Sequence, residues 1–136
     1  QWILIDAARR RPIALRENLP MYQVIGERVI DTDFPKISEP QRIDEAAEFF
    51  IRFDDIDLNN HVNNAVYPLW ASEAVGIDFR AAHTPAEIEV AFKKEGLYGE
   101  DIRVETEFDN LTTIHRIKAT GDGRELARVR ICWIGI

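Results

Sequence analysis

The spacing of apolar residues along the chain changes period. Over residues 47–53, Phe49, Phe50, Ile51 and Phe53 crowd into a short aromatic and aliphatic run suited to a buried strand. From Asn64 onward Val66, Leu69, Trp70, Ala74 and Ile77 recur at intervals of three and four, which predicts one apolar face of a helix. Asn63 is placed to cap that helix and Gly76 to end it. Pro68 then falls at or just past the first turn, where it predicts a kink or one unmade backbone bond. Beyond Pro85 the period drops to two over residues 87–94, 101–108, 113–119 and 125–134, the pattern of antiparallel strands. Their connections hold Gly96 and Gly99, Asp109 and Asn110, and Gly121, Asp122 and Gly123, residues that tolerate the positive φ of tight turns. Strand, helix, then strands is an α+β order, with a twisted antiparallel sheet wrapped on one central helix.

The first third of the chain lacks this regularity. Residues 7–45 are rich in Arg, Pro and Asp, with short apolar clusters around Met21 and Val29, and read as a linker holding one short helix. The chain opens without methionine on the strand-like run Trp-Ile-Leu-Ile-Asp, as a piece of a longer protein would. The expected division is therefore residues 1–45, a strand end plus linker, and residues 46–136, one folded domain.

Composition narrows the function classes. A net charge of -7 argues against nucleic acid, which requires a basic face. No apolar run approaches the ~18 residues needed to span a bilayer, and the opening lacks the order of a signal peptide, so an intracellular protein without membrane contact is expected. One cysteine, Cys132, and three histidines offer no disulfide and no zinc spacing, so neither metal nor cofactor is expected. The grouped Arg9, Arg10, Arg11 and Arg16 form either a solvated connector or a docking patch for an acidic partner.

The densest polar chemistry lies between strand and helix, in Asp-Asp-Ile-Asp-Leu-Asn-Asn-His-Val-Asn-Asn-Ala-Val-Tyr, residues 54–67. Asp57, Asn59 and His61 alternate, so in an extended segment they share one face, and Asn63 continues it. Imidazole can move a proton near neutral pH, carboxylate can orient a donor, and a helix start offers free N–H groups to an oxyanion. Asx turns, caps and a satisfied buried histidine account for the same residues equally well.

The segment resembles the signature of the acyl-ACP thioesterases, which carry two hot-dog domains in tandem. The family's second domain has an Asp-x-Asn-x-His array, then Val-Asn-Asn and a tyrosine, matching Asp57, Asn59, His61, Val62, Asn63, Asn64 and Tyr67. The resemblance covers about residues 47–136 and implies a hot-dog fold, with the opening strand and linker belonging to the end of a first hot-dog. It also implies an acidic residue after the helix, in a basic-basic-Glu-Cys context in plant members. Here the run is Lys93, Lys94, Glu95 and Gly96, so glycine stands where a papain-like scheme takes its nucleophile. Cys132, in the last predicted strand, reads as a small buried hydrophobe.

The resemblance therefore implies hydrolysis of a fatty acyl thioester on acyl carrier protein, with water as nucleophile. Glu95 and His61 would activate the water, Asn59 would hold it or the carbonyl, and Asp57 would fix Asn59 or His61. Backbone N–H groups at Asn63 and Asn64 would receive the oxyanion. Asp57 also matches the catalytic aspartate of the 4-hydroxybenzoyl-CoA thioesterase type, which leaves the identity of the base open. An acyl-CoA thioesterase, a non-catalytic acyl-binding or assembly domain and a 3-hydroxyacyl dehydratase are the competing readings. The resemblance further implies a second hot-dog as partner, and a cytoplasmic location or, in a plant, a plastid one. Trp70, Phe79 and Phe92 fit either core or an acyl tunnel.

Overall fold

In the computed structural model, residues 4–6, 8–9, 11–14, 18, 26 and 35–136 are described, and the chain divides into two units, Gln1–Phe34 and Pro35–Ile136. In the first, β1 (Leu4–Asp6) pairs antiparallel with β2 (Arg11–Ile13). The Asp6 carboxylate closes their turn by accepting the N–H groups of Ala8 and Arg9. The second strand lies in the stretch read as linker, folded back by that turn. Arg10, Arg16, the apolar clusters near Met21 and Val29 and the short linker helix lie outside the described residues.

The second unit runs β3 (Glu45–Phe50), a 3-10 turn (Phe53–Asp55), α1 (Val66–Glu73), α2 (Ile77–Ala82), β4 (His83–Phe92), β5 (Asp101–Asp109), β6 (Thr112–Ala119) and β7 (Glu125–Gly135). Its five strands form one antiparallel sheet in the order β3-β5-β6-β7-β4. The strand before α1 and the strand after α2 thus lie on opposite edges. Along β6, Thr113, His115, Ile117 and Ala119 turn to the buried face, as a period of two requires. Tyr67, Trp70 and Ala71 of α1, with Ala74 at its C-terminal cap, pack there with Ile51, Ile102, Val104 and Val129. Each large apolar side chain so buried contributes about 1.5–3 kcal/mol.

The helix differs from the predicted one in three respects. It begins at Val66, so Pro68 is its third residue, where a backbone N–H has no intrahelical partner to lose, and the expected kink or lost bond does not follow. The chain breaks at Gly76, whose φ of 81° lies in the left-handed region, and starts a second helix. Leu69 and Ile77, placed by spacing on the apolar face, are exposed at 62% and 80%: Ile77 lies beyond the break, and Leu69, inside α1, faces away from the buried side that Trp70 takes. β4 starts earlier than predicted and carries Pro85 at a register shift on the sheet edge, where a missing donor costs little.

The outer face of the sheet is charged. Glu105 is buried under Arg116 and Lys118, both at 2.7 Å, and Arg128 and Arg130 hold Glu125 and Glu89. Residues 35–44 are fastened to this unit through Glu39 to Arg116, Gln41 to Glu107 and Asp44 to Phe108. Among the described residues no helix is long and apolar enough to cross a membrane.

Candidate active site

The polar segment is a closed loop, not an extended strand. Ile56 and Val62 form an isolated antiparallel bridge, and the Asp57 N–H donates to the His61 carbonyl at 2.8 Å. Inside the loop, one oxygen of Asp57 accepts the N–H of Asn59 at 2.8 Å and that of His61 at 3.4 Å. Its other oxygen accepts the Asn59 side-chain amide at 3.3 Å. The turn is completed by Asn60 at φ 62°, a conformation asparagine adopts more readily than most residues. The backbone N–H of Asn59, ahead of the side-chain amide, holds the Asp57 carboxyl below the usual carboxylate range.

This closure presents His61 to Glu95, which follows β4. His61 Nε2 lies 3.1 Å from Glu95 Oε2, with the imidazole 24% and the carboxylate 64% exposed. Both line a cleft of about 240 Å³ with Asp57, Asn64 and Tyr67. A half-buried imidazole paired with an accessible carboxylate can take a proton from water and release it elsewhere.

The other expected residues separate. Asn59 is exposed, rests on Asp57 and does not line the cleft. Asn63 is used structurally: its N–H donates to the Asp55 carbonyl at 2.8 Å, and its side chain accepts the Ala65 N–H at 3.0 Å. That corrects the expectation that its N–H receives an oxyanion, since the donor is already spent. Asn64 remains at the cleft. Asp55, buried beside Arg52, is held below the usual range chiefly by that guanidinium.

Sequence reasoning missed how the Glu95 turn is held. The Gly96 N–H donates to the Tyr67 hydroxyl at 3.3 Å, and the Gly96 carbonyl accepts the Val62 N–H at 3.0 Å. Arg124 donates to the Glu95 carbonyl at 3.1 Å and pairs with Glu100, whose carboxylate accepts the Leu97 N–H. Burial pushes the Tyr67 phenol up, so it stays protonated. Tyr67 stood in the recognised pattern without a role, and nothing local in the sequence marks Arg124.

Gly96 also has a steric reason. A Cβ there would lie 3.0 Å from Val62 Cγ2 and 3.1 Å from Ile51 Cδ1, so no side chain fits without displacing the residue next to His61. Gly96→Ala is expected to cost about 1–3 kcal/mol in denaturant unfolding; an unchanged midpoint would show that the pocket yields. Cys132 is half-buried on β7 near the Thr112 hydroxyl and does not line the cleft. Among the described residues no three His, Cys, Asp or Glu side chains gather as a metal-ligand set.

A five-stranded antiparallel sheet wrapped on a central helix, with a polar loop leading into that helix, is the hot-dog fold of thioesterases. Residues 38–135 match the family model of the acyl-ACP thioesterase C-terminal domain, and the chain belongs to that family. The structure is similar to the 12:0-ACP thioesterase of Umbellularia californica, with TM-score 0.79 and 20% identity, over 97% of this chain and 53% of that one. It is similar to an acyl-ACP thioesterase of Bacteroides thetaiotaomicron, with TM-score 0.75 and 17% identity, over 96% and 53%. A 1,4-dihydroxy-2-naphthoyl-CoA thioesterase from Synechocystis aligns over 68% of this chain and 81% of its own, with TM-score 0.60 and 14% identity. The chain spans about half the length of the two acyl-ACP thioesterases. No curated protein matches in sequence.

Proposed function

We propose that this domain carries the reacting groups of an acyl-ACP thioesterase, which hydrolyses a fatty acyl thioester to free fatty acid and carrier protein. The observation that carries the reading is the 3.1 Å pair of His61 and Glu95 at the cleft. Glu95 and His61 take a proton from water as its oxygen bonds to the thioester carbon. When the carbon–sulfur bond breaks, the imidazolium returns the proton to the leaving sulfur. Asn64, at the start of the helix, is the candidate donor to the oxyanion. Asp57, committed to the loop's donors and held ionised, positions His61 and Asn59 in this scheme.

Family membership and the arginines near the chain start support an acidic carrier protein as partner. A second hot-dog, from the same full-length chain or another copy, would cover the β4 edge, where Ile88 and Phe92 are exposed. The second reading is a single hot-dog acyl-CoA thioesterase, favoured by the likeness to the Synechocystis enzyme. Full-length protein given acyl-ACP and acyl-CoA at equal concentration separates the two. Faster turnover of acyl-ACP is expected, and a large preference for the CoA ester would overturn the choice of carrier.

A further inference from the structure

Glu95 stands outside the strands that flank it. β4 ends at Phe92 and β5 begins at Asp101, so its side chain, 64% exposed, leaves the backbone from the connection between them. Lys94, just before it, is still tied to the sheet, its N–H donating to the Leu126 carbonyl at 3.2 Å. The peptide that joins Glu95 to Gly96 has no such backbone partner, and the glycine on its far side permits rotation that other residues resist.

Two side chains from different elements take the polar groups of that peptide. The Gly96 N–H donates to the Tyr67 hydroxyl of α1 at 3.3 Å, and the Glu95 carbonyl accepts Arg124 Nη1 at 3.1 Å. Arg124 comes from the connection between β6 and β7, where its own N–H donates to Asp122 Oδ1 at 3.0 Å and its carbonyl accepts the Ala119 N–H at 2.9 Å. The other arm of the guanidinium, Nη2, donates to Glu100 Oε1, and Glu100 Oε2 accepts the Leu97 N–H at 2.9 Å. One planar fork thus holds the connection at Glu95 directly and at Leu97 through Glu100, a reach that a lysine ammonium cannot reproduce. Arg124 does not line the cleft, so its influence on the chemistry passes through the backbone it holds.

We propose that Arg124 is a positioning residue for the reaction: with Tyr67 it pins the Glu95–Gly96 peptide and so keeps the Glu95 carboxylate 3.1 Å from His61 Nε2. The proposal rests on the thioesterase reading of that pair. His61 is carried by the loop of residues 56–62 and Glu95 by a separate connection, so their separation depends on how the two backbones are held. The bond from the Val62 N–H to the Gly96 carbonyl joins them, but it acts one peptide further along the chain. Rotation of the Glu95–Gly96 peptide moves the root of the carboxylate against a fixed imidazole, and a misplacement of about 1 Å is enough to cost as much as ~10² in rate.

Full-length protein and its Arg124→Gln and Arg124→Lys variants are to be compared in turnover of acyl-ACP and in amide hydrogen exchange at Gly96. Both variants are expected to lose about tenfold in kcat with KM within about twofold. In a Glu95→Gln background the same substitutions are expected to cost nothing further, because the group they position is gone. Losses that simply add to that of Glu95→Gln overturn the proposal, as a general weakening of the fold would produce them. Full activity in Arg124→Lys also overturns it, since the cation's charge would then suffice without the fork. The Gly96 N–H is expected to exchange about tenfold faster once the peptide is released, and an unchanged rate overturns the clamp. Tyr67→Phe, which removes only the hydroxyl at the other end of the same peptide, is expected to repeat each result and serves if the Arg124 variants fail to fold. Wild-type protein that hydrolyses no thioester would sink the thioesterase reading, while exchange at Gly96 still decides whether Arg124 holds the peptide.

Discussion

Replacing His61 by Ala, or Glu95 by Gln, is expected to lower kcat by about 10² to 10⁴ and to leave the folded protein nearly as stable as before. Their pair sits at the cleft and supports no other element, since the Glu95 turn is held through its backbone by Tyr67, Val62 and Arg124. Glu95→Gln keeps volume and removes only the proton acceptor. Asp57→Asn should behave differently, because the carboxylate accepts the N–H groups that close the loop. Its loss is expected to appear in both melting and turnover, with roughly 1 kcal/mol taken from stability. Kinetics and thermal unfolding therefore have to be read on the same variants. Full activity in Glu95→Gln beside an inactive, normally folded Asp57→Asn would reverse the roles given to the two carboxylates.

Acidification from pH 6 to 4.5 is expected to destabilise the protein by about 1.4 kcal/mol per pH unit through His115 alone. This imidazole is fully buried between the hydroxyls of Thr106 and Thr113, at 2.9 and 2.7 Å, and Thr113 also accepts the Trp133 indole N–H. Burial lowers its pKa from 6.5 to about 3. Between those values the unfolded chain binds a proton that the folded chain refuses, so stability falls as pH falls. Carboxylates act lower. Glu105, held below the usual range by Lys118 and Arg116 despite its burial, and Asp55, held there by Arg52, contribute stability that is lost only as pH drops through the carboxylate range. Denaturant unfolding of wild type and His115→Gln at pH 6.0 and 4.5 isolates the histidine. A slope that persists in the variant would place the acid sensitivity elsewhere.

The strands after the helix were legible because one sheet face is apolar and the other charged, so β5, β6 and β7 alternate over nearly their full length. The helix was legible as an element but not in detail. Gly76 breaks it, and spacing carried across that break put Ile77 on a face it does not share with Trp70, while Leu69, within the helix, faces out. In the cleft, the position of the polar segment was evident and its geometry was not. An i, i+2, i+4 pattern suggests extension, whereas Asp57 accepts its neighbours' N–H groups and curls the chain. Glu95 was reachable only through a family pattern, since no local period links it to His61. Tyr67 with Gly96, and Arg124 with Glu95, are each 29 residues apart, a separation at which the fold alone decides who meets.

The curled loop has one more consequence. Its bridge and its internal hydrogen bonds occupy much of the polar valence of residues 56–62 before any ligand arrives. A site built this way is preorganised: its dipoles are oriented at folding, and chemistry requires little reorganisation of them. Under the proposed thioesterase reading, discrimination among acyl groups then belongs to the walls that receive the chain, not to His61 and Glu95.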